Sequence, residues 1–305
     1  MMNEQIINIF HQLHDLRISQ NEPWRAKAYQ RAIDTIKNYP QPLTSGAEAQ
    51  KLPGIGASLA SKIDEIIQTG TVAELSMAQS PKTVDDTERD NVLKLFQTIE
   101  RVGPVTAKRW YDAGYRRIED IPQEATTEGQ WIGIQLYYDL IQRIPREEIQ
   151  LAEKLLHQCL DPLGIEFEIA GSYRRGKANS GDIDILVIDN PDMDVLNTVV
   201  QCPLFRYRLA QGEKKFLGVG LIDQLHRRID VELVQPQHYP FAIVYFTGPG
   251  SFNVKMREYA AHHGLRLNEK GLFGSEGEFY PAQSEKDLFH ILGLKYLTPE
   301  ERNKY

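Results

Sequence analysis

The sequence predicts an α+β protein, helical through its first half and mixed α/β through its second. Three observations carry this. Apolar residues recur at helical spacing, with no strand alternation, up to about residue 160. Short β-branched or aromatic runs bounded by Gly, Pro and Asp begin near residue 165. The length of 305 residues accommodates about two domains with a buried core.

Taken in order, Ile6, Ile9, Phe10, Leu13 and Leu16 share one helical face. Ala28, Ala32, Ile33 and Ile36 repeat the period until Tyr39-Pro40-Gln41-Pro42 stops it. Further helices are expected through Leu59, Ile63 and Ile66, through Val92, Leu95, Phe96 and Ile99, and through Ile149, Ala152, Leu155, Leu156 and Cys159. The polar stretch 78–90, with Pro81, Asp85 and Asp86, reads as a linker and sets a domain boundary. Runs 167–170, 183–188, 229–234 and 242–246 read as strands.

Composition narrows the function classes. The longest apolar run, 241–246, is far short of the roughly 18 residues of a membrane span. Glu4, Asp15 and Arg17 interrupt the first twenty residues, so no secretory signal is expected. Cys159 and Cys202 stand apart from each other and from any second ligand pair, which predicts neither a disulfide framework nor a zinc site and fits a reducing, intracellular setting. The net charge of −7 leaves only local basic patches for contact with nucleic acid.

Two segments share a hairpin texture. Leu52-Pro53-Gly54-Ile55-Gly56 leads into a helix from Ala57, and Arg101-Val102-Gly103-Pro104 into one from Val105, with Arg101 where the first segment has a glycine. Each puts a tight turn before a helix start, so that backbone N–H groups can bind a phosphate without reading a base. The second hairpin carries Arg101, Lys108, Arg109, Arg116 and Arg117 against one acid, Asp112. Both suit sequence-independent DNA binding.

The chemistry sits in carboxylates. In Gly181-Asp182-Ile183-Asp184-Ile185, strand alternation turns both aspartates to one face, and Arg228-Ile229-Asp230-Val231-Glu232 adds Asp230. Three clustered acids repel one another unless hard cations lie between them, and oxygen ligands suit Mg²⁺ or Mn²⁺. A two-metal phosphoryl-transfer site follows. Upstream, Gly171-Ser172-Tyr173-Arg174-Arg175-Gly176 joins a glycine turn to a hydroxyl and two guanidiniums suited to nucleotide phosphates.

The Gly-Ser segment followed by Gly-Asp-x-Asp resembles the nucleotidyltransferase superfamily. Further blocks narrow the resemblance to the family X DNA polymerases, on the polymerase beta side: Ser45-Gly46-Ala47-Glu48-Ala49, Leu52-Pro53-Gly54-Ile55-Gly56, Lys62-Ile63-Asp64-Glu65, Arg143-Ile144-Pro145-Arg146-Glu147-Glu148, Tyr245-Phe246-Thr247-Gly248, Phe252-Asn253, Met256-Arg257 and Ser284-Glu285-Lys286-Asp287. The resemblance covers nearly the whole chain. It implies that Asp182, Asp184 and Asp230 bind two Mg²⁺ ions, with Mn²⁺ able to substitute, and that Asp230 accepts the primer 3′-hydroxyl proton. It implies triphosphate contacts from Ser172, Arg175, Ser180 and Gly181, with Arg143 nearby. It implies that Tyr245 and Phe246 close on the sugar, that Gly248 also belongs to the nucleotide site, and that Asn253 and Arg257 touch the incoming base and the template minor groove. Lys62 matches a Schiff-base lysine that removes a 5′-deoxyribose phosphate, and Tyr29 and Arg25 belong to its pocket. Gln50, Ser58 and Glu74 stand where the resembled family places phosphate-binding lysines, which predicts a weak 5′-phosphate pocket. Gly54, Gly56 and Gly103 mark the DNA-binding turns, where a monovalent cation is also expected.

The implied architecture is a helical lyase-like domain with helix-hairpin-helix motifs (1–78), a helical DNA-binding subdomain (79–145), a mixed-sheet nucleotidyltransferase palm (146–234) and a small α/β nucleotide-selection subdomain (235–305). The expected function is template-directed gap filling in DNA repair by an enzyme, with weak lyase activity. Expected partners are gapped or nicked duplex DNA and deoxynucleoside triphosphates, the chain acting as a monomer away from membranes. A nuclear, virion or bacterial cytoplasmic setting is left open. The alternatives are a template-independent nucleotidyltransferase and a non-catalytic DNA-binding scaffold, the latter opposed by the three intact aspartates.

Overall fold

The computed structural model describes residues 2–20, 22–75 and 84–305. The chain divides into two compact units, Met1–Glu88 and Arg89–Tyr305.

In the first unit, helices α1 (Met2–Ser19), α2 (Pro23–Lys37), the short α3 (Gly46–Ala49) and α4 (Ala57–Thr69) enclose one core. Ile6, Phe10, Leu13, Ile33, Ile36 and Ile63 are fully buried in it, on the faces the helical period assigns. Ser45 caps α3 by accepting from the Glu48 N–H at 3.2 Å. The turn into α4 places Gly54 at φ 82° and uses Gly56, in extended conformation, as the helix N-cap.

Residues 78–83 lie outside the described residues, while Asp85 and Asp86 fall in the first turn of helix α5 (Val84–Gln97). Acids there favour a helix N-terminus, so polarity alone misreads residues 84–90 as linker.

In the second unit, α5, α6 (Pro104–Asp112) and α7 (Glu128–Gln135) enclose Phe96, Ile99, Val102 and Trp110. The turn before α6 repeats the backbone of the first hairpin. Arg101 takes the left-handed conformation at φ 65° that Gly54 takes there, and Val102 and Gly103 follow as buried aliphatic and extended N-cap. A left-handed non-glycine residue costs about 1–2 kcal/mol. Gln130 helps hold it by donating to the Arg101 carbonyl at 3.1 Å.

The palm sheet has the order β2 (Phe167–Ile169), β4 (Ile183–Ile188), β7 (Leu225–Val234), β6 (Lys215–Ile222), β5 (Phe205–Gln211), with β4 and β7 parallel and the other pairs antiparallel. Strands β1 (Ile144–Pro145) and β3 (Asn179–Ser180) pair separately. One sheet face buries Ile183, Ile185, Val187, Ile229 and Val231 against helix α8 (Arg146–Leu160) and helix α9 (Val195–Val199). The other face bears the carboxylates.

The structure overturns two expectations. Residues 242–246 are helical, within α10 (Tyr239–Thr247), and not a strand. This helix is buried on opposite sides. Phe241 and Val244 face a carboxy-terminal core with Phe252, Leu288 and Phe289, while Ala242 and Ile243 cover Leu186 and Val234 of the sheet. An element buried all round shows no polar period, and a short apolar run then cannot be assigned by pattern. The second correction concerns the cysteines. Cys159 of α8 and Cys202, 43 residues on, form a disulfide with Cα atoms 5.8 Å apart. Packing on the shared sheet face brings together residues that the sequence separates.

The carboxy-terminal subdomain completes the unit with helix α11 (Gly250–His262), the sheet β8 (Arg266–Asn268), β9 (Gly271–Phe273), β10 (Phe279–Tyr280) and helix α12 (Glu285–Ile291). No helix among the described residues is long and apolar enough to cross a membrane.

Candidate active site

The parallel pairing of β4 with β7 sets Asp184 directly opposite Asp230. Asp182 lies one residue before β4, and ligand oxygens of Asp182, Asp184 and Asp230 all come within 4.8 Å of one another. Burial, together with the charges of Asp182 and Asp230, pushes the Asp184 carboxyl up to about 7, against the opposing pull of Arg228 and Lys215. A group at that value binds a proton near neutrality unless a cation takes its place.

Arg228 shows the same demand for positive charge. Its Nη2 lies 2.9 Å from Asp230 Oδ2 and 3.1 Å from Asp182 Oδ2, bridging the two carboxylates. Lys215 reaches Glu232 at 3.4 Å across the β6–β7 ladder. An all-oxygen donor set that already draws a guanidinium fits a hard divalent cation.

Gly171 explains why the segment before the aspartates opens with glycine. It sits at φ 55°, and a Cβ there would lie 2.3 Å from Asp184 Oδ2. Ser172 donates to Ser180 at 2.8 Å. Arg143 donates from Nε to Asn179 Oδ1 at 2.9 Å and from Nη2 to the Asn179 carbonyl at 3.1 Å, and a Cβ on Gly181 would meet its Nη1 at 3.1 Å. Arg143, Ser172, Ser180 and Gly181 are therefore gathered beside the aspartates.

Arg175 points toward the carboxy-terminal subdomain. It donates to the Thr247 carbonyl and, at 3.1 Å, to Asn303, and its Nη1 lies beside Gly248. The rings of Tyr245 and Phe246 meet edge to face at 5.2 Å. They line different hollows: Phe246 one with Asp184, Asp230, Lys215 and Glu232, and Tyr245 one with Asn253, Met256 and Arg257. Asn253 donates to the Tyr245 carbonyl at 2.7 Å and accepts from Arg257 through its own carbonyl at 3.2 Å.

The first unit holds a separate cluster. Lys62 Nζ is 2.5 Å from Glu74, and Glu74 also pairs with Arg17. Burial and the Arg17 charge push the Lys62 ammonium below its ordinary range, while burial raises the Tyr29 hydroxyl. Arg25 is engaged by Glu22 at 3.1 Å and lies over Trp24. Sequence reasoning missed Arg17, Glu100, Lys215 and Arg228 as site neighbours. Arg228 alone carried a signal, since it stands two residues before Asp230 on the same strand face.

A mixed sheet carrying a glycine-serine turn and three clustered aspartates, followed by a small α/β subdomain, defines the nucleotidyltransferase class. Four family profiles match the chain: a helix-hairpin-helix domain over 1–72, the fingers domain of DNA polymerase lambda over 94–141, the DNA polymerase beta palm over 143–236 and the DNA polymerase beta thumb over 242–303. The chain belongs to the family X DNA polymerases. It is 34% identical to DNA polymerase lambda of Rattus norvegicus over 315 residues, covering 93% of this chain and 53% of that protein. It is 31% identical to DNA polymerase lambda of Arabidopsis thaliana over 336 residues, covering 99% of this chain and 62% of that protein.

Proposed function

We propose that the chain is a template-directed DNA polymerase that fills short gaps during repair. The observation that carries this is the register placing Asp184 opposite Asp230, with Asp182 close enough to share cations with both. Asp182, Asp184 and Asp230 would hold two Mg²⁺ ions, which when bound supply a more acidic primer 3′-hydroxyl and charge screening for the triphosphate. Asp230 takes the 3′-hydroxyl proton as the primer oxygen bonds to the α-phosphorus and the bond to pyrophosphate breaks. Arg143, Ser172, Ser180 and Gly181 orient the phosphates, joined by Arg175 from the subdomain side. Tyr245 and Phe246 bound the sugar, with Gly248 a further part of the nucleotide site, and Asn253 and Arg257 meet the base pair. The hairpin turns at Gly54, Gly56 and Gly103 take DNA phosphates, with a monovalent cation. Divisions near residues 78, 145 and 234 separate the four working parts.

Extension of a labelled primer across a one-nucleotide gap tests the reading. Incorporation of only the complementary deoxynucleotide is expected. Equal extension without a templating strand would favour a terminal transferase, and none under any condition would leave a DNA-binding scaffold.

A further inference from the structure

Arg228 makes more contacts than an ion pair with Asp230 requires. Its Nη2 touches both Asp182 and Asp230, and its Nε lies 3.4 Å from Asp230 Oδ1. Its remaining terminal nitrogen, Nη1, faces Glu100 Oε1 at 3.6 Å. An arginine side chain does not give up its proton, so Arg228 competes for Asp182 as a fixed positive charge.

Glu100 is held firmly. It directly precedes Arg101, whose left-handed backbone is fixed by Gln130. Helix α7 also packs against it so closely that a Cβ on Gly133 would lie 3.0–3.2 Å from the Glu100 backbone and Cβ. The Glu100 backbone is thus fixed, and its carboxylate lies just beyond hydrogen-bond reach of the guanidinium that holds Asp230.

We propose that Glu100 is a positioning residue which receives the Arg228 guanidinium when a divalent cation takes Asp182, so that Arg228 releases Asp182 while keeping Asp230 in place. This rests on the reading of the three aspartates as metal ligands. One charge then serves two arrangements. With Asp182 free of metal, Arg228 bridges the two aspartates. With Asp182 taken, it spans Asp230 and Glu100 and leaves the Asp182 oxygens clear.

The test is Mn²⁺ binding by the full chain without DNA or nucleotide, read from the electron paramagnetic resonance signal of free Mn²⁺. Glu100→Gln removes the receiving charge and is expected to weaken Mn²⁺ binding about fivefold, the lower end for coupled sites, with Glu100→Asp intermediate. Arg228→Met is expected to bind Mn²⁺ more tightly than the unmodified chain and to abolish the effect of Glu100→Gln. If circular dichroism shows Arg228→Met to be unfolded, Arg228→Lys replaces it, since a point charge cannot span both carboxylates. Unchanged affinity in Glu100→Gln overturns the proposal. Equal weakening in both Arg228 backgrounds also overturns it, because the lost charge would then act through space alone. Loss of templated extension with the Mn²⁺ coupling intact would remove the polymerase reading and leave the pivot standing. No saturable Mn²⁺ binding by the unmodified chain would remove the metal site and the pivot together.

Discussion

At the scale of single residues, the site depends on where carboxylate oxygens are allowed to stand. In the proposed polymerase Asp230 would be both a metal ligand and the acceptor of the 3′-hydroxyl proton, whereas the hairpins proposed to take DNA phosphates are remote from it in sequence. Asp230→Ala is therefore expected to cut incorporation about a thousandfold or more while gapped-DNA affinity stays within a few-fold. Single-turnover incorporation beside a filter-binding titration checks both halves. Gly171 constrains the neighbouring aspartate from the backbone side, since any Cβ collides with Asp184 at a positive φ. Gly171→Ala should lower stability by about 1–2 kcal/mol and weaken Mn²⁺ binding, and a thermal melt and metal titration indistinguishable from the parent would refute this. Tyr245 is held through its carbonyl by Asn253 and lines its own hollow, apart from Phe246. Its truncation should erode the preference for deoxynucleotides over ribonucleotides, measured as a ratio of kcat/KM values.

At the scale of elements, the palm and the carboxy-terminal subdomain are joined by buried charges. Arg174 pairs with Glu285 at 2.8 Å and donates to Thr247 at 3.0 Å, and the fully buried Arg302 reaches Glu285 at 2.9 Å. Although burial opposes ionisation, the two arginines hold the Glu285 carboxyl below the usual carboxylate range. A carboxylate depressed in the folded state contributes stability above its unfolded pKa and loses it as pH falls through the lower folded value. Glu285→Gln should thus destabilise the chain by about 3 kcal/mol at neutral pH, because it leaves the buried Arg302 guanidinium uncompensated while Arg174 keeps Glu168. The gap should close once pH drops below the ordinary glutamate range. Denaturant midpoints of both proteins across that range test it, and a gap that persists in acid would mean lost packing and not lost charge.

These elements also show what a sequence discloses. Helices with one wet face, and the Asp-x-Asp strand with one buried face, print their period in the chain. Helix α10 is buried on opposite sides and prints none. Strand β6 prints no clean period because Gly218 and Gly220 interrupt it where a Cβ would strike the Phe216 ring and Ile229, and β5 prints none because it is mostly exposed and its register against β6 shifts twice. The pairing of Cys159 with Cys202 and the approach of Glu100 to Arg228 depend on tertiary packing that no local pattern encodes.

At the scale of the whole molecule, the chain is two compact units with separate cores, one bearing Lys62 and the other the three aspartates. If each chemistry is complete within its own unit, the two should fail independently. A Schiff base at Lys62 needs a neutral amine, and each unit by which its pKa falls raises that fraction about tenfold at neutral pH. Burial and Arg17 push in that direction, while the Glu74 carboxylate at 2.5 Å favours the ammonium and occupies space that an anionic substrate would enter. Weak lyase activity is the expected result, read as borohydride trapping on a 5′-deoxyribose phosphate end. Lys62→Ala should abolish the trapped adduct and leave gap filling within about twofold, a change the size of an ordinary surface substitution. Asp230→Ala should do the reverse. Glu74→Ala should strengthen trapping, because it frees Lys62 and leaves Arg17, still paired with Glu22, with one carboxylate fewer beside the substrate phosphate. An adduct that survives Lys62→Ala would assign the chemistry to another amine. Weaker trapping in Glu74→Ala would mean that Glu74 holds Lys62 in its working position and does not restrain it.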